Sequence, residues 1–129
     1  MTPELTVLAF AALLQIVQFS MYSIAANLQI GPEVAMGPRD RPVQLTGLAG
    51  RLQRALNNHF EGLILFTIAV LVVTLGEQST PLTRTCAWVY LAARVAYVPA
   101  YALGLVPWRS VVWIAGFAAT VTMIVASLL

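Results

Sequence analysis

The chain contains no lysine, one cysteine, one histidine, and charged residues amounting to only 9% of its 129 positions. Each shortage removes a class of protein. A chain this poor in charge has no soluble basic surface to hold nucleic acid, and the net charge of +2 with a pI near 9.1 does not supply one. Cys86 alone cannot form an internal disulfide, and it reads as a small packing residue near the end of a helix. His59 has no second ligand at zinc-like spacing, so a metal site is not expected, and its ring is expected to meet a neighbouring helix or loop. No repeat, low-complexity tail or second domain interrupts residues 1–129.

What is present is hydrophobic: 60% of the residues, with a mean hydropathy of +0.84. No charged side chain stands between Glu4 and Glu33, and a bilayer-spanning helix needs only about 20 apolar residues. A cleaved signal peptide fits less well, since the run is long, has no basic residues before it and leads into a loop rather than a small-residue cleavage site. Three further spans are read at about Leu56 to Leu75, Pro81 to Leu103, and Pro107 to Leu128. The expectation is an all-α, integral membrane four-helix bundle. Gly76 to Pro81 forms one short connection, Gly104 and Pro107 bracket another, and the one long loop, Gly31 to about Gly50, is rich in glycine and proline.

Arginines near helix ends bias loops toward the cytoplasm. Arg39, Arg41, Arg51 and Arg54 lie on the side of the first loop, and Arg109 joins them at the last turn. The second connection has only Arg84. Both termini are therefore expected to face away from the cytoplasm.

The polar residues inside the spans form stripes. Arg51, Arg54, Asn58 and Glu61 follow steps of three, four and three, which is one face of an α-helix. Arg94, Tyr97 and Tyr101 repeat the arrangement on the third span, where Arg94 is the one charge between Thr85 and Trp108. A cation at that depth is costly and needs a partner. Antiparallel packing would put Glu61 at the same level, so a Glu61/Arg94 ion pair is expected, and with it damage to folding on Glu61→Ala. Such a pair can simply join two helices. The whole set, with Arg109 and Ser110 at the start of the last span, carries more positive charge than one pair requires and suggests an anionic ligand. Arginine forks match carboxylates, asparagine pairs with peptide amides and tyrosine offers a ring and a hydroxyl, a list that a small peptide with several carboxylates fits.

The run Arg54-Ala-Leu-Asn-Asn58-His-Phe-Glu61 resembles the Arg-x-x-x-Asn-x-x-Glu signature of the MAPEG family, the membrane-associated proteins of eicosanoid and glutathione metabolism. Arg94 seven residues before Tyr101, followed by Arg109-Ser110, is similar to the branch holding the glutathione-dependent prostaglandin E and leukotriene synthases and the microsomal glutathione transferases. The resemblance covers nearly the whole chain. It implies a homotrimer of four-helix subunits with glutathione held between subunits near the cytoplasmic face. Carried over by position, Arg54, Asn58, Glu61, Arg94, Tyr97 and Tyr101 would line the glutathione site, with Arg51 and Trp113 completing it. Arg109 would stabilise the glutathione thiolate, aided by Ser110, for attack on a hydrophobic electrophile or lipid peroxide arriving from the membrane lipids.

The sequence also departs from the family. Asn27-Leu28-Gln29-Ile30 stands where well-studied members carry a basic residue for a glutathione carboxylate, and Trp113 stands where the eicosanoid synthases place a tyrosine. Gly37-Pro38-Arg39-Asp40-Arg41-Pro42 looks like a bacterial-type version, implying a bacterial inner membrane. Rival readings are a non-catalytic lipid-binding or scaffold protein of the same fold, and a small transporter, for which Pro99 is the single mid-span helix breaker. Gln15 and Gln18 are expected to make interhelical hydrogen bonds, and Trp88 and Trp108 to sit in the aromatic belts.

Overall fold

In a computed structural model, which describes residues 1–38, 40 and 43–129, all regular secondary structure among the described residues is helical. Arg39, Arg41 and Pro42, used above for orientation and loop composition, lie outside the described residues. The first helix, α1 (Pro3–Ile30), starts where the Thr2 hydroxyl accepts from the Leu5 N–H at 3.3 Å and Pro3 occupies the first turn, where no N–H is needed. It stops at Gly31, whose φ of +84° suits a residue without a Cβ and whose N–H reaches the Asn27 carbonyl at 2.9 Å. A five-residue helix, α2 (Pro32–Met36), follows directly. The hydropathy pattern did not indicate it, since one and a half turns leave no periodicity to read.

The helix expected to cross from about Leu56 begins well before, as α3 (Gly47–Leu75). Apolarity marks only the part of a helix in lipid, while its hydrogen bonds run on through the stripe Arg51, Arg54, Asn58 and Glu61. The loop returns against this extension: a Cβ on Gly50 would stand 2.7 Å from the Leu45 carbonyl oxygen, so the close approach requires glycine. Gln29 fixes the loop from the other side, donating to the Thr46 carbonyl and accepting from the Thr46 N–H, both at 2.9 Å. The two remaining helices are α4 (Pro81–Ala102) and α5 (Trp108–Leu128). Thus five helices are described rather than four, four of them long.

Of these, α1, α3 and α5 are long and apolar enough to cross a membrane. The fourth, α4, falls short because Arg84, Arg94 and three tyrosines dilute its hydropathy. The packing has a membrane character. Inside lie Val7, Ala11, Phe66, Ala69, Val70, Val73, Ala87, Ala119 and Met123, mostly small, together with Cys86, which packs as expected. Outside stand Phe10, Leu13, Ile16, Phe19, Ile64, Leu71, Val95, Ile114 and Val125. Water would penalise that arrangement, whereas acyl chains solvate it, and small residues at the seams let the backbones approach. Trp108 is exposed at the start of α5, and Trp88 is exposed two turns into α4.

A polar clasp joins the ends of α1 and α4. Thr80 and Thr83 form a capping box, with the Thr80 N–H donating to the Thr83 hydroxyl at 2.8 Å and the Thr83 N–H to the Thr80 hydroxyl at 3.2 Å. The Thr83 hydroxyl and the Ser79 hydroxyl each donate to one oxygen of the fully buried Glu4 carboxylate at 2.9 Å. Thr83→Val keeps the shape but removes both the donor to the buried Glu4 carboxylate and the acceptor of the Thr80 N–H, and it should cost about 1–3 kcal/mol. A lowered unfolding temperature in detergent, with Ser79→Ala additive to less than the sum, would confirm a shared acceptor. No change would show that Glu4 is satisfied elsewhere.

Candidate functional site

Three long helices converge on Arg94. Its side chain is 3% exposed, and the bulk of a guanidinium can be enclosed at that depth only with hydrogen-bond acceptors in reach. Nη1 donates to the Asn58 side-chain oxygen at 3.0 Å and Nε to His59 Nδ1 at 3.3 Å. Arginine only donates, so Nδ1 is the unprotonated nitrogen of that ring. The other nitrogen, Nε2, then donates to the Ala11 carbonyl of α1 at 3.0 Å. His59 thus bridges α1, α3 and α4, in agreement with the structural role expected of it.

The expected Glu61/Arg94 ion pair is not formed. Glu61 is exposed and, among the described residues, makes no hydrogen bond or ion pair. The reason is angular: Asn58 and His59 lie on the turn of α3 that faces α4, whereas Glu61, three residues further, has rotated toward the outside of the subunit. It still borders the same cavity as Arg94. Gln15 and Gln18 also depart from expectation, since among the described residues Gln18 is buried with both side-chain polar atoms unpartnered and Gln15 Oε1 likewise finds no donor.

The tyrosines carry the polar face toward the α4–α5 turn. Tyr97 lies under the Arg94 guanidinium, 4.5 Å from carbon to ring centroid, and Tyr101 tilts against it at 5.6 Å. Tyr101 is held between two cations: the Arg54 Nε donates to its hydroxyl at 3.0 Å, and the Arg109 guanidinium stands 4.8 Å from its ring. Arg109 and Ser110 occupy the first turn of α5, where the Ser110 N–H is bound to the Pro107 carbonyl. Arg51 goes elsewhere, donating through Nε to the Ala102 carbonyl at 2.7 Å, and so ties α3 to the end of α4.

Two adjoining cavities result. One, of about 210 Å³, is open and lined by Asn58, Tyr97, Tyr101, Arg109, Ser110 and Trp113. The other, of about 160 Å³, lies deeper between α3, α4 and α5 and is largely apolar, with Glu61, Gly62, Leu65, Tyr90, Arg94, Gly116, Phe117 and Thr120 on its walls. Asn58 and Trp113 line both, and Trp113 stacks on Phe117 at 5.1 Å between centroids. The structure therefore brings Asn58, Tyr97, Tyr101, Arg109, Ser110 and Trp113 together, keeps Arg94 and Glu61 on the neighbouring chamber, and leaves Arg51 and Arg54 outside both. Sequence reasoning missed Tyr90, Gly62, Gly116 and Thr120. For Tyr90 a signal existed: it precedes Arg94 by four residues and continues the α4 stripe by one turn. Among the described residues no group of three or more His, Cys, Asp or Glu could hold a metal ion.

Apolar helices long enough to cross a membrane, around a cationic, aromatic cleft, define a class: an integral membrane protein with a polar cleft at one end of its bundle. The model of the MAPEG family matches residues 7–129, essentially the whole chain, and the protein belongs to that family. No curated protein and no solved structure matches it.

Proposed function

We propose that the protein is a glutathione-dependent membrane transferase or peroxidase, in which Arg109 stabilises a glutathione thiolate that attacks a hydrophobic electrophile or lipid peroxide. The observation that carries this reading is the joint lining of the open cavity by Arg109, Ser110, Tyr97, Tyr101 and Asn58. A thiol of pKa about 8.5 is mostly protonated at neutral pH, and a guanidinium beside the sulfur favours the anion. The Ser110 hydroxyl adds a donor to the same sulfur. Asn58 and the tyrosines offer partners for peptide amides and carboxylates. Membership of a family whose members generally use glutathione supports the choice of thiol.

The assembled state in this reading is a homotrimer with glutathione between subunits. Arg54, Glu61 and Ser110 are exposed on a single subunit at the level of the cleft, so its open side is available for a neighbour to cover. All four long helices cross the membrane in this arrangement. At 22 residues α4 reaches about 33 Å, and its mid-span charge, Arg94, is buried within the bundle. The termini lie away from the cytoplasm, and the membrane is a bacterial inner membrane.

The test is difference absorbance near 240 nm, where thiolate absorbs, on adding glutathione to the detergent-purified oligomer. A saturable signal at pH 7, accompanied by turnover of a hydrophobic electrophile, is expected. Absence of the signal from an intact oligomer would overturn the proposal in favour of a lipid-binding or scaffold role.

A further inference from the structure

The single histidine of the chain, His59, is fully enclosed and lines neither cavity, so a ligand in them does not touch it. Filling space inside the bundle would not require a polar ring. This ring stands instead at the head of a chain of hydrogen bonds that ends on the wall of the open cavity.

Each link of that chain has one possible direction. The Ala11 carbonyl accepts, so His59 Nε2 carries the proton of the 3.0 Å bond between them. Nδ1 is then the bare nitrogen and takes the Arg94 Nε–H at 3.3 Å. Nη1 of the same guanidinium donates to Asn58 at 3.0 Å, and a donor-only group settles which end of the amide it meets: the oxygen. Asn58 Nδ2 is thereby left over as a donor. It makes no hydrogen bond among the described residues, and Asn58 is half-buried on the wall of the open cavity.

The guanidinium has little freedom to point elsewhere. Two of its nitrogens are bonded, and the Tyr97 ring lies 4.5 Å from its carbon. Without the Nδ1 acceptor it could rotate about its last bonds and release the Asn58 oxygen, and the two ends of that amide could then exchange places.

We infer that His59 is a positioning residue for the proposed glutathione site: acting through Arg94, it holds Asn58 so that the amide N–H is offered to the open cavity, where it takes an oxygen acceptor of the peptide ligand, a carboxylate or a backbone carbonyl. The identity of the ligand rests on the thiol-dependent reading above; the direction of the hydrogen-bond chain does not.

Because the chain has one histidine, nitrogen-15 labelling of histidine reads this ring alone. In the ligand-free oligomer its magnetic resonance spectrum should show a single neutral tautomer, protonated at Nε2 and bare at Nδ1. The opposite tautomer, or a doubly protonated ring, would overturn the proposal whatever ligand the site takes. Glutathione affinity, from saturation of the 240 nm signal, should fall about threefold to tenfold in His59→Phe. The pH midpoint of the bound thiol should stay where it was, since Arg109 is untouched. His59→Asn puts an amide oxygen where Nδ1 stood, so it keeps the acceptor for Arg94 and gives up the bond to Ala11. Its affinity should stay within about twofold of the unaltered protein's although its unfolding temperature falls. In an Asn58→Ala background, His59→Phe should cost no further affinity. Equal weakening by His59→Phe and His59→Asn would overturn the proposal, as would an undiminished effect of His59→Phe on top of Asn58→Ala. A missing 240 nm signal in the unaltered oligomer would sink the glutathione reading, while the tautomer still decides for or against the chain of bonds.

Discussion

Arg109→Ala should lose the 240 nm thiolate signal at pH 7 while the oligomer stays folded and intact. The guanidinium touches the structure lightly, stacking on the Tyr101 ring at the cavity mouth, and its removal leaves no buried group without a partner. Its effect on a bound thiol is direct: one unit of pKa corresponds to about 1.4 kcal/mol of preference for the anion, and a cation within a few ångströms in a partly desolvated cleft supplies one to three units. Without it, the thiolate fraction at pH 7 should fall by roughly tenfold or more, and turnover with it. The sign is specific. A group that stabilises the anion moves the apparent thiol titration downward, so the variant's signal should return as pH is raised, whereas a variant that had merely lost glutathione binding would stay silent at every pH. Ser110→Ala, which removes one neutral donor, should produce a smaller displacement in the same direction, about threefold to tenfold at pH 7. Normal signal in Arg109→Ala would reassign thiolate stabilisation to Arg54, the other cation on Tyr101.

Much of this site was legible from spacing. Helical steps of three and four put Arg51, Arg54, Asn58 and Glu61 on one face and Arg94, Tyr97 and Tyr101 on another, and the structure sets the two faces against each other across α3 and α4. Periodicity settles which residues share a face but not which way that face turns within a few tens of degrees. This is why Asn58 meets Arg94, Glu61 does not, and Arg51 ends on the Ala102 carbonyl. Sequence also favours charge over neutral partners when assigning a mate to a buried cation, and so passed over His59, whose ring accepts from Arg94 while donating to α1. Tyr90 was hidden for a different reason. An aromatic residue in an apolar span reads as core, and its ring is core; only the packing of the helices leaves its hydroxyl without a partner among the described residues.

The same geometry redirects the stability prediction from Glu61 to Arg94. Arg94→Ala should destabilise the subunit by about 2–6 kcal/mol, since His59 Nδ1 and Asn58 Oδ1 would each lose their donor inside the bundle at about 1–3 kcal/mol apiece. It also removes a large side chain from the contact between α3 and α4. Glu61→Ala, by contrast, should leave the subunit's unfolding temperature nearly unchanged, because Glu61 is exposed and unpartnered among the described residues. Arg94→Lys discriminates further: one ammonium retains the charge but cannot reach two acceptors in the fixed fork of a guanidinium, so it should recover only part of the loss. His59→Phe should be destabilising too, and less than additive with Arg94→Ala, since both remove the same Arg94–His59 bond. Thermal unfolding of the four variants in one detergent decides the matter. If Glu61→Ala proved as damaging as Arg94→Ala, Glu61 would have to be paired in the assembled protein, with Arg54 or Arg109 of a neighbouring subunit as its partner, and the cleft would be closed by an intersubunit ion pair rather than open to the bilayer.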